Sequence, residues 1–167
     1  VALARRALRL HVANVVFMGM GEPLDNVEAV IGAVRILTDP AGLNLPLSHV
    51  TVSTSGEAQH VYTLPDALPS VRLAFSLHAA NEQLRSKLMP INRRVSLDVL
   101  RGAMASYLER TKRRVTIQYV LLAGVNDTEA HAGELAAFLG SVGPLKRLHV
   151  NLIPYNAQSE PLFASPS

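Results

Sequence analysis

The segment NVVFMGMGEPLDN, Asn14 to Asn26, decides the fold. After Asn14, residues Val15 to Met18 are β-branched or apolar on both alternating faces, which predicts a strand over Asn14–Met18 buried on both sides, as in a parallel sheet. Two glycines, a glutamate and a proline then break the run before a helical pattern that Asn26 is placed to cap and that reaches about Leu37. Strand, glycine loop and helix in that order open a βαβ unit.

The same order recurs along the chain. The Pro/Gly/Asn loop Asp39–Leu47 leads into the strand HVTVST, and a short helix is predicted over Ala58–Leu64. Then come strand Val71–Leu77, helical segments Asn81–Lys87 and Leu97–Thr111, strand Val115–Leu122, helix Thr128–Leu139 and strand Arg147–Ile153. Val1–Leu10 fits the tail of an amphipathic helix, and AQSEPLFASPS trails off in small and polar residues. With no linker or low-complexity tract, residues 1–167 read as a single domain. Strands alternating with helices imply a parallel α/β sheet, either open and doubly wound or part of a barrel. In both, ligands bind beyond the carboxyl ends of the strands.

The composition, 49% hydrophobic and 17% charged, is that of an ordinary globular chain. No apolar stretch approaches the roughly eighteen residues of a membrane span, and no secretory leader is recognisable, so a cytoplasmic protein with no membrane partner is expected. A net charge of +3 is compatible with a nucleic-acid partner without requiring one. The absence of cysteine excludes disulfides, thiolate metal sites and a cysteine nucleophile within these residues. No pair of the six histidines has H-E-x-x-H spacing, so a histidine metal site is not expected and only His78 is singled out, while with no cysteine no catalytic residue is assigned.

The five strand ends read MGMGEP, STSG, SLHAAN, AGVND and NLIPYN. Singly, such residues are turn formers and helix caps; together they present hydroxyls, amides and a carboxylate to one rim, suited to a small, multiply functional ligand. The first loop is not a dinucleotide fingerprint: Leu24 replaces the third glycine, and Pro23 lacks the amide that a phosphate would need. Gly21 lets a ligand approach the backbone, and Glu22 with nearby carbonyls suits a cationic amine.

MGMGEPLDN, VTVSTSG, FSLHAANEQLRSKLMPINR, YVLLAGVND and VNLIPYN, in that order, closely resemble the radical S-adenosylmethionine (SAM) methyltransferases that act on C2 of an adenine in 23S ribosomal RNA and in some transfer RNAs. The C8-methylating antibiotic-resistance enzymes are siblings of that family. The resemblance implies strands two to six of a partial (β/α)6 radical SAM barrel. It implies SAM contacts at Gly21, Glu22, Ser53, Ser76, Leu77, His78 and Asn156. It further implies 23S rRNA and possibly tRNA as partners, and a reductant such as flavodoxin for the complete enzyme. In the family a C-x-x-x-C-x-x-C loop holds a 4Fe-4S cluster and two further cysteines serve catalysis. With none here, an internal fragment of a larger enzyme is expected, the alternatives being a cysteine-free SAM- or RNA-binding pseudoenzyme or a fragment of an adenine C8 methyltransferase.

Two basic groups remain: Arg85, Lys87, Arg93 and Arg94 around the MPIN turn, and Arg110, Lys112, Arg113 and Arg114 before the fourth strand. Each reads equally as a solvated helix end or as a contact to RNA phosphates.

Overall fold

The computed structural model describes residues 1–156 and 162–166. Its elements are α1 (Ala2–Arg6), β1 (Val15–Phe17), α2 (Val27–Thr38), β2 (Val50–Thr54), α3 (Ala58–Ala67), β3 (Arg72–Ser76), α4 (Glu82–Leu88), α5 (Leu97–Thr111), β4 (Val115–Leu121), α6 (Glu129–Val142) and β5 (Leu148–Pro154), with short 3-10 turns between some of them. The five strands are all parallel and lie in chain order, β1-β2-β3-β4-β5. A doubly wound sheet reverses direction at a switch point; this one never does. Right-handed crossovers then put the helices between the strands, α2 to α6, on the same face, the arrangement of a barrel segment.

Central strands are the most buried. Val50, Leu73, Phe75, Val115 and Ile117 form one continuous cluster with Leu64, Leu100, Met104 and Tyr107 of the covering helices. Tyr107 donates its buried hydroxyl to the Val71 carbonyl, so the polar tip of a large core residue is satisfied. The two edge strands differ. Val16 of β1 is 52% exposed and Leu152 of β5 is 54% exposed, so the expectation of a first strand buried on both faces is corrected: each pairs with a single neighbour.

Local chemistry moves several boundaries. Asn26 makes no side-chain cap; it ends a 3-10 turn, Pro23–Asn26, which Glu22 caps by accepting the Leu24 amide. Helix α3 continues through Pro65 to Ala67. The proline falls in the last turn, where its missing N–H costs a single hydrogen bond. In the expected tail, the stretch 157–161 lies outside the described residues. Residues 162–166 fold back: the Ala123 amide donates to the Ala164 carbonyl at 3.1 Å, and Phe163 meets Tyr155 edge to face at 6.0 Å.

Candidate functional site

At the carboxyl ends of β1, β2 and β3 a small cleft of about 80 Å³ is lined by Met18, Gly19, Gly21, Glu22, Pro23, Ser53, Thr54, Ser55 and Ser76. The loop after β1 can form because Gly19 and Gly21 take φ of 105° and 70°, conformations that L side chains rarely adopt. At Gly21 nothing stands within 4 Å of where a Cβ would project, so the backbone is open to a ligand.

Glu22 is the junction of the first two loops. Its Oε1 accepts the Leu24 amide at 3.0 Å, and its Oε2 accepts both the amide and the hydroxyl of Ser55 at 2.7 Å. A carboxylate offers about four acceptor positions, so one remains for an incoming donor. Thr54 does the corresponding work behind β2, its Oγ1 accepting the Gly56 and Glu57 amides at 3.1 Å as the chain turns into α3.

The third loop is strained. His78 takes φ of 56°, inside a tight turn closed by the Ala79 amide on the Leu77 carbonyl at 2.7 Å. Its Nδ1 accepts the Val120 amide at 3.1 Å and its carbonyl accepts Asn126 Nδ2 at 2.8 Å. Burial, reinforced by the nearby Arg85 cation, pushes the imidazole down to about 4. It is therefore neutral at physiological pH, and with Nδ1 an acceptor the ring hydrogen sits on Nε2, as a donor.

The cleft thus brings together Gly21, Glu22, Ser53 and Ser76 of the residues singled out in the sequence. Leu77 follows Ser76, with its side chain fully buried in the core. His78 is fastened to β4, and Asn156 is exposed beyond β5, two strands from β3. Three residues that hold the site together were not assigned to it from sequence: Ser55, Asn126 and Arg85. The last was expected at a solvated helix end or on RNA, but is fully buried. One sequence signal marks it: Arg85 lies three residues before Leu88 and four after the cap Asn81, on the inward side of α4.

The second basic group also finds its place. Lys112, Arg113 and Arg114 immediately precede β4, at the opposite end of the sheet from the cleft. Arg110 pairs with Asp66 and the Tyr62 carbonyl, and Arg113 donates to Ser70 Oγ. A concavity of about 500 Å³ is a mainly apolar groove between α6 and strands β4 and β5, reaching Asn126 and Asp127 of the loop after β4. No group of three or more potential metal ligands occurs among the described residues, and no helix there is long and apolar enough to cross a membrane.

Parallel strands in chain order, with polar loops gathered at their carboxyl ends, define an α/β barrel segment built to hold a small ligand. Residues 1–136 match the family model of the radical SAM superfamily, and the chain belongs to that family. The crystal structure of a radical SAM methyltransferase from Sphaerobacter thermophilus superposes with a TM-score of 0.91 at 45% identity, over 99% of this chain and 48% of that one. A domain of pyruvate-formate lyase-activating enzyme from Bacteroides vulgatus, 21% identical with a TM-score of 0.65, shares the fold. Curated relatives include probable dual-specificity RNA methyltransferases RlmN. The one from Dictyoglomus thermophilum is 46% identical over 150 residues, 90% of this chain and 42% of the relative. The one from Roseiflexus castenholzii is 50% identical over 151 residues, 87% and 38% respectively. The chain spans less than half the length of these relatives.

The two cofactors of the family fit this chain differently. Glu22 with a free acceptor position, Gly21 open to approach and the hydroxyls of Ser53 and Ser76 suit the amino-acid end of SAM. A 4Fe-4S cluster held by thiolates has no ligand here, since the sequence contains no cysteine.

Proposed function

We propose that this chain is the SAM-holding part of a radical SAM RNA methyltransferase acting on C2 of an adenine in 23S rRNA, and on tRNA, in the cytoplasm. The cluster ligands and catalytic cysteines come from residues outside it, and a reductant such as flavodoxin serves the complete enzyme. The relatives named as dual-specificity RNA methyltransferases support the substrate class. The observation that carries the reading is the Glu22 carboxylate, which takes three donors from its own turn and from the loop after β2, of about four that a carboxylate can accept, and which follows the open backbone of Gly21 in the cleft.

When bound, SAM supplies the methyl group and the radical reactivity that an aromatic carbon, not itself a nucleophile, requires. The residues of this chain bind and orient. Glu22 accepts the ammonium, the Ser53 and Ser76 hydroxyls bracket the cleft, and His78 offers a neutral Nε2–H as a donor. Asn156 closes the far side. Lys87 and Arg93 meet RNA phosphates, while Arg94 is ion-paired with Glu57 and the Arg110–Arg114 group braces the opposite end.

Replacing Glu22 tests the reading. Because it also caps a turn and holds Ser55, Glu22→Ala lowers both the melting temperature and SAM affinity. Glu22→Gln keeps the shape and one acceptor but loses the charge. A charge-assisted hydrogen bond is worth about 1.5–3 kcal/mol, so calorimetric titration of the Gln variant should show SAM bound roughly ten- to a hundredfold more weakly. Unchanged affinity in the Gln variant, beside a lowered melting temperature, would make Glu22 a turn former only. Sequencing the gene on both sides of these residues, and finding no three-cysteine loop in frame, would instead favour the pseudoenzyme.

A further inference from the structure

The guanidinium of Arg85 is fully buried, and among the described residues it touches no carboxylate directly. Its Nε donates to the Leu77 carbonyl at 3.2 Å, and one terminal nitrogen donates to Asn92 Oδ1 at 2.6 Å. The other terminal nitrogen reaches the Ser55 carbonyl at 2.7 Å and the Ser76 carbonyl at 3.4 Å. Asn92 is itself oriented, its Nδ2 donating to Glu82 Oε2 at 2.6 Å and Ser86 Oγ at 2.8 Å. Burial pushes the guanidinium down to about 10, so it remains a cation at neutral pH. The Glu82 carboxylate supports the charge only through Asn92, without direct contact, and a buried cation held in this way is a poor stabiliser that an apolar side chain of similar volume commonly matches. What an apolar chain lacks is the rigid planar fork, which fixes several carbonyls at set distances.

Those carbonyls belong to the ends of β2 and β3, the two strands whose loops line the cleft. Ser55 is gripped from both sides: Arg85 takes its carbonyl, while Glu22 takes its amide and hydroxyl. Leu77 is the first residue of the strained turn that sets His78.

We propose that Arg85 is a positioning residue of the ligand site. From beneath, it fixes the spacing of the Ser55 and Ser76–Leu77 backbones and thereby aims Glu22 and His78 at the ligand. The identity of that ligand as SAM rests on the reading above; the positioning role does not.

The test uses Arg85→Lys, which keeps the charge but not the fork, and Arg85→Met, which loses both. Tyr107→Phe, which removes a buried hydrogen bond at the opposite end of β3, is the control. On the full chain, thermal melts, amide NMR without ligand and calorimetric titration with SAM are compared. The Lys variant is expected to fold, to shift or broaden the Ser55, Leu77 and His78 amide signals, and to bind SAM about tenfold or more weakly. Arg85→Met does the same or fails to fold, in which case the Lys variant decides. Tyr107→Phe lowers the melting temperature with those signals and the affinity unchanged. If Arg85→Lys behaves like Tyr107→Phe, Arg85 is a core residue only and the proposal is overturned. If the unaltered chain takes up no SAM, the SAM reading fails, and the amide signals alone decide: displaced, Arg85 positions the loops; unmoved, it does not.

Discussion

His78 combines three features in one residue: a strained backbone, a neutral ring, and hydrogen bonds through Nδ1 to Val120 of β4 and through the carbonyl to Asn126 in the loop after it. Its imidazole titrates near 4 in the folded protein against an ordinary value of 6.5. Between these values the unfolded chain binds more protons than the folded one, so the stability due to a neutral His78 is complete above 6.5 and lost as pH falls toward 4. Thermal melts between pH 7 and 4 should therefore show a steeper decline for the native chain than for His78→Gln, which cannot titrate. Parallel declines would remove His78 as the source. Asn126 guards the same geometry, with Oδ1 accepting the Leu122 amide at 2.7 Å while Nδ2 serves His78 and Val120.

Helix α4 shows how an element delivers a residue. It is seven residues long, too short to persist alone, and depends on its cap and on packing. Asn81 Oδ1 accepts the Gln83 and Leu84 amides at 3.0 and 3.1 Å, while Nδ2 reaches Glu134 of α6 at 3.2 Å. Removing a cap of this kind costs about 1–2 kcal/mol, a fall of a few degrees in Tm for a chain of this size. Asn81→Ala should show that loss in calorimetric melts, and Asn81→Asp, which keeps the cap, should recover part of it. An Ala variant as stable as the native chain would mean that α4 is fixed by packing alone.

For the molecule as a whole, the consequence of an open sheet is its edges. β1 pairs with β2 alone and β5 with β4 alone, and Val16, Met18, Met20 and Leu152 are exposed on or beside those strands. Unpaired strand edges bearing apolar side chains recruit other chains. The 167-residue chain on its own should therefore associate as its concentration rises, and Val16→Lys should reduce that association in sedimentation velocity runs. A monomer at all concentrations would show that the edges are protected.

The parallel α/β order was legible in the sequence because short apolar runs and amphipathic segments alternate at regular intervals, and each strand end carries its own polar signature. The ordered motifs, from MGMGEP to IPYN, likewise pointed to the family that the comparisons show. Arg85 was not legible: a basic residue on a short helix looks solvated until the strand ends β2 and β3 are known to lie beneath it. Nor was the double duty of Glu22, because Ser55 is thirty-three positions away in the chain. Sequence order alone determined the elements and most of the loops that line the cleft. Only the tertiary structure decided which carbonyl and which amide each buried polar group takes, since those pairings join residues that only the closing of the sheet brings within hydrogen-bond reach.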